Sequence, residues 1–108
     1  MANEKYPFGN ADHQQPAYAA TITVDIVNSK TIIEPAILTG NLTLNVNAHS
    51  EQQVGDEVIV KVKTTATETT TFGSGINGVA LVGVAGKTKT KLFVYDGSNF
   101  ISTNEQID

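Results

Sequence analysis

The feature that most limits what this chain can become is a two-residue alternation of side chains, with an apolar stripe at every second position. Leu42, Leu44 and Val46 alternate with Thr43, Asn45 and Asn47, and Val58, Val60 and Val62 alternate with Ile59, Lys61 and Lys63. Successive side chains of an extended strand point to opposite sides, so a period of two lays all apolar members on one face. Thr21 to Ile26 repeats the pattern with Ile22, Val24 and Ile26. No stretch carries the 3.6-residue apolar period of an amphipathic helix, so the expected class is all-β.

Turn residues divide the strands. Asn28-Ser29-Lys30, Pro35, Thr39-Gly40-Asn41 and Gly55-Asp56 interrupt the early ones. The Thr-rich run Thr64 to Thr71 reads as a strand with a polar surface, because Thr is β-branched. Val79 to Val84 is apolar on both faces and reads as a buried strand or a subunit contact, with Gly83 marking a bulge or a close backbone approach. Lys87, Lys89 and Lys91 form a row on one side of the next strand, and Asp96-Gly97-Ser98-Asn99 turns it into a final hairpin through Phe100 to Ser102. Phe93 and Tyr95 share a face and are expected in the core together with Phe100. The fold expected from these signals is a single antiparallel β-sandwich or jelly-roll-like barrel over residues 17–108. Residues 1–16 read as an extended N-terminal arm: Pro7, Gly9 and Pro16 lie among polar residues, and Tyr6 and Phe8 make one sticky spot.

Composition removes several function classes. Of 108 residues, 11 are acidic and 7 basic, a net charge of -4, and every basic residue is Lys. Without Arg forks and with excess acid, neither nucleic acid nor an anionic membrane is an expected partner. Absence of Cys rules out disulfides, thiolate metal sites and cysteine nucleophiles. No 18-residue apolar run is present, and the first residues lack a basic segment followed by an apolar one. The expectation is a chain made and assembled in a cytoplasm.

Motifs of chemistry fail on context. Gly73-Ser74-Gly75-Ile76-Asn77-Gly78 matches G-x-G-x-x-G, but a dinucleotide site needs a helix after it, and Val79 to Val84 is strand-like. Gly86-Lys87-Thr88 lacks the preceding glycine of a phosphate loop, where Leu81 stands. His13 and His49, with Asp12 or Glu51, would have to meet to hold a metal, and one falls in the arm and the other in a loop. The acids fall mostly at turns and termini, which gives no paired carboxylates in a groove. Catalytic, cofactor and metal sites are therefore none, and no enzymatic activity is expected.

From about Thr31 to Ser102 the chain resembles the small β-rich virion proteins of tailed bacteriophages, of the capsid decoration and head-fibre type. The likeness rests on Gly40-Asn41-Leu42-Thr43-Leu44-Asn45, Gly55-Asp56-Glu57-Val58-Ile59-Val60, Phe72-Gly73-Ser74-Gly75-Ile76, and the aromatic hairpin Leu92-Phe93-Val94-Tyr95-Asp96-Gly97-Ser98-Asn99-Phe100. The resemblance implies an accessory capsid protein that decorates or stabilises a head. It would bind the outer capsid surface through the major capsid protein or other virion proteins, as a homotrimer without cofactor. Its expected localisation is the virion, after assembly in the host cytoplasm. On that reading the contact residues are Tyr6 and Phe8 of the arm, the row Lys87, Lys89 and Lys91, and Val82 and Val84 as a subunit seam. The alternative is a carbohydrate-binding or adhesin-like β-sandwich module, which would need exposed aromatic side chains.

Overall fold

In the computed structural model residues 11–103 are described. They form ten strands and no helix: β1 (Asp12–Gln14), β2 (Thr21–Asp25), β3 (Lys30–Ile33), β4 (Leu42–Asn47), β5 (Glu57–Lys63), β6 (Thr69–Phe72), β7 (Ile76–Asn77), β8 (Leu81–Val82), β9 (Thr88–Tyr95) and β10 (Phe100–Ser102). The all-β expectation holds. The strands divide into a wide sheet, ordered β1-β3-β5-β9-β10-β7, and a narrow sheet, ordered β2-β4-β6-β8.

The pairing corrects the antiparallel sandwich and the jelly-roll-like barrel. From β1 to β6 the chain visits the two sheets in turn, and each visit lies parallel beside the last one. Thr21, Ile22 and Val24 align with Thr43, Leu44 and Val46, while Leu42 and Leu44 align with Thr70 and Phe72. On the other side Thr31 and Ile33 align with Val58 and Val60. A corner stacks as well, through a parallel bridge between Leu38 and Thr64. This is a short two-sided β-solenoid. Only the closing segment departs from it: β9 runs antiparallel to β5 and to β10, and β8 antiparallel to β6.

The reason for the misreading is physical. Parallel sheets usually have both faces covered and read as continuous apolar runs, so alternation is the mark of an antiparallel sheet with one wet face. In a coil each parallel sheet has one wet face too. Alternation therefore decides what points inward, not which strand lies alongside or in which direction.

The interior is built as rows across the rungs. Ile22, Leu44 and Phe72 form one row, and Val24 and Val46 another; Ile33 and Val60 face them from the wide sheet. Phe72 meets Phe93 edge-on with ring centroids 4.8 Å apart, tying the narrow sheet to the wide one. Phe93 and Phe100 are fully buried, and Tyr95 lies 4.9 Å from Phe100, so the aromatic residues of the final hairpin belong to the core as expected.

Two glycines make the closing segment possible. Gly75 leaves the narrow sheet at φ 79°, and a Cβ there would collide with the Val46 carbonyl. The G-x-G-x-x-G stretch is thus a crossing between sheets, and it contains the strand β7. Gly83 presses against the buried Thr64 side chain, the close backbone approach its position implied. Its neighbours do not form the buried strand read from Val79 to Val84: the strand β8 spans Leu81–Val82, and Val79, Val82 and Val84 are 65%, 52% and 48% exposed. Of the residues read as an arm, 12–14 form β1, the parallel edge strand of the wide sheet, and residues 1–10 lie outside the described residues.

Candidate functional site

Each sheet turns one face to the core and one outward, and the two outward faces differ. On the narrow sheet the register aligns Thr21 with Thr43 and Thr71, Thr23 with Asn45, and Asp25 with Asn47. Asn47 Nδ2 donates to Asp25 Oδ1 at 2.9 Å, and Asn45 Oδ1 accepts the Ser74 amide at 2.9 Å. On β2 and β4 this face is polar and ties up part of its own hydrogen-bonding capacity, while its β8 edge carries the exposed Val82, register partner of Thr69.

The outward face of the wide sheet has an aliphatic centre. Ile32 of β3, Ile59 of β5 and Leu92 of β9 are register partners and form one row. Val94 of β9 and Ile101 of β10 form the adjacent row. All of them sit opposite in parity to buried neighbours (Thr31, Val58, Phe93, Phe100) and remain partly exposed. Charge rims the patch. Lys30 Nζ lies 3.6 Å from Glu57 Oε1 on one side, and the exposed pair His13 Nε2 and Glu34 Oε1 is 2.8 Å apart on another. Lys61 and Thr90 are register partners beyond the Ile59–Leu92 row. An apolar patch inside a charged rim, on a surface held flat by backbone pairing, has the make-up of a protein contact.

The residues singled out in sequence fall in different places. Tyr6 and Phe8 lie outside the described residues. Lys87 is exposed just before β9. Lys89 and Lys91 are register partners of Val62 and Val60, which point into the core, so they stand on the inner side of the sheet, and Lys91 is only 8% exposed. The lysine row is therefore not an outer stripe. Val82 and Val84 are exposed at the far edge of the narrow sheet, next to Gly83. Sequence reasoning missed Ile32, Ile59, Leu92, Val94 and Ile101. Their signal was present as breaks in the alternation: Ile32-Ile33, Val58-Ile59-Val60, Leu92-Phe93-Val94 and Phe100-Ile101 are unbroken apolar runs.

Two carboxylates and one imidazole are engaged in local turns. Asp96 accepts the backbone amides of Asn99 and Ser98 at 2.9 Å, which hold its carboxyl below the ordinary range, and Gly97 at φ 105° completes the turn. Glu68 accepts the Thr65 hydroxyl at 2.6 Å and the Ala66 amide at 2.8 Å, and is lowered by them in that order. His49 Nδ1 accepts the Glu51 amide in the loop before β5. Among the described residues no group of three or more His, Asp or Glu is placed to hold a metal ion. Among them, too, no helix is long and apolar enough to cross a membrane.

The geometry thus assembles a surface. No family model, no curated protein and no solved structure matches this chain.

Proposed function

We propose that the chain is a structural subunit of a virion, an accessory capsid protein of the decoration or head-fibre type. It works by surface contact and carries out no catalysis. In this reading it is a homotrimer, seated on the outer capsid surface by contacts to the major capsid protein, after assembly in the host cytoplasm. The observation that carries the assembly role is the aliphatic patch of Ile32, Ile59, Leu92, Val94 and Ile101. The particle to which it belongs is argued from the phage-like strings between Gly40 and Phe100. A stiff β-coil suits the task, because backbone ladders fix its outer faces and repeated weak contacts on a lattice add through avidity.

The carbohydrate-binding alternative asks for aromatic side chains in the open. Among the described residues Phe93 and Phe100 are fully buried, and Tyr18, Phe72 and Tyr95 pack against the core. Light scattering of the purified chain separates the readings. A stable trimer is the expected result; a monomer that binds an arrayed glycan would overturn it.

A further inference from the structure

The outer face of the wide sheet frames its aliphatic centre with charges whose signs cross over. On one side of the row Ile32–Ile59–Leu92 stand Lys30 of β3 and Glu57 of β5, which are register partners. On the other side stands Lys61 of β5. Glu34 stands with it: its amide donates to the Gln14 carbonyl at 2.8 Å, which extends β3 by one residue, and the register that pairs Ile33 with Val60 sets it level with Lys61. Along β3 the frame therefore runs from positive to negative, and along β5 from negative to positive. Lys61 forms no ion pair among the described residues.

Such a frame is complementary to itself. Let copies stand around an axis that follows the aliphatic row, across the strands. One side of each wide face then meets the other side of the next copy, strand by strand. Lys30 meets Glu34 of the next copy, and Glu57 meets Lys61 of the next copy, opposite signs at each level. An axis along β5 would instead gather Glu57 with Glu57 and Lys61 with Lys61, and like charges set against each other oppose association. The charge pattern thus selects a second copy of this chain as the occupant of the patch, and one orientation for it.

We propose that copies of this chain stand side by side with their coil axes parallel and their wide sheets turned to a common axis, closed by Lys30–Glu34 and Glu57–Lys61 pairs between neighbours. This rests on the homo-oligomeric reading above: that reading supplies the copies, and the charge frame supplies the face and its orientation. In a trimer the three wide faces form a prism, with the aliphatic rows along its axis and the charges at its corners, an apolar centre inside a polar rim. The narrow faces point outward.

Charge reversal tests the pairing. Light scattering over a dilution series gives the concentration at which the assembly dissociates. Glu57→Lys sets like charges at each contact and raises that concentration about tenfold, and Lys61→Glu alone does the same. The double variant Glu57→Lys/Lys61→Glu exchanges the two signs and returns to within about threefold of the unaltered chain, because the two sites are coupled. Positions 57 and 61 lie about 13 Å apart along one strand, too far to pair within a copy, so the recovery reports a contact between copies. Glu57→Lys also removes the 3.6 Å pair with Lys30, but the double variant lacks that pair too, so its loss cannot produce the recovery. Far-ultraviolet circular dichroism of each variant checks that the fold is kept. Single variants that dissociate like the unaltered chain overturn the proposal, and so does a double variant no better than the singles. In both cases an unaltered chain that remains a trimer keeps the homo-oligomeric reading. An unaltered chain that is a monomer at every concentration removes that reading and the proposal together.

Discussion

The two outer faces of this coil follow one backbone rule and carry opposite chemistry. On the narrow sheet the outward positions of β2 and β4 are Thr21, Thr23, Asp25, Thr43, Asn45 and Asn47. On the wide sheet the equivalent outward positions bring Ile32, Ile59, Leu92, Val94 and Ile101 side by side. The inner faces are alike, so fold stability does not require the difference. The wide face gathers partly exposed aliphatic side chains at its centre, whereas those of the narrow sheet, Val82 and Val84, stand at its edge. The polar side, with Asn47 and Asp25 bonded to each other, is a surface kept for solvent.

The comparison can be broken most forcefully by truncating one residue from each setting. Leu44 lies in the interior row behind the narrow face and is fully buried. Leu44→Ala should cost about 2–5 kcal/mol in denaturant unfolding, from lost transfer energy and the cavity left behind. Ile59→Ala removes a partly exposed side chain, and in the dissociated monomer should cost less than about 1.5 kcal/mol. Equal losses at the two positions would mean that the wide outer face is ordinary core and not a contact surface.

A smaller effect of opposite sign tests the interior that the two sheets share. Thr31 behind the wide face and Thr70 behind the narrow face are fully buried, and neither Oγ1 has a hydrogen-bond partner. A buried hydroxyl without a partner costs free energy that an isosteric methyl does not. Thr31→Val and Thr70→Val should each raise stability by about 1 kcal/mol, read as a higher denaturant midpoint at unchanged slope. A lower midpoint would show that the hydroxyl is satisfied in the folded chain.

The smallest expected effect lies in the Asp96 turn, away from both faces. Its carboxyl is held below the ordinary value by the Asn99 and Ser98 amides. A depressed folded value means that the stabilisation is present above the unfolded value, about pH 4, and fades as pH falls through the folded one. Asp96→Asn should therefore flatten the decline in melting temperature on acidification and leave the solution mass unchanged. A steeper acid decline in the variant would reverse that sign.

How much of this was legible in the sequence depends on what alternation encodes. It gave the all-β class and the inward set on β2, β4 and β5, while the Asp96-Gly97 turn marked the final hairpin and a glycine within an apolar run marked the tight approach at Gly83. It could not give parallel pairing, because Leu42-Thr43-Leu44 looks the same beside a parallel or an antiparallel neighbour. Strand β1 was hidden, since Asp12-His13-Gln14 holds no apolar residue and its place comes from the ladder offered by β3. The lysine row was readable and misassigned. Lys89 and Lys91 have the parity of Phe93 and Tyr95, so if the aromatic pair faces the core, so do they. The same parity puts Leu92 and Val94 outside.

The central claim is that the wide outer face holds copies together and the narrow one does not. The direct measurement is the solution mass of Leu92→Lys beside that of Thr43→Lys, two single charges placed at equivalent outward positions. A charge buried at the centre of a contact costs more than 2 kcal/mol, about thirtyfold in association. The account predicts that Leu92→Lys runs as a monomer and that Thr43→Lys keeps the mass of the unaltered assembly. An assembly that survives Leu92→Lys, or one that falls apart with Thr43→Lys, would contradict it.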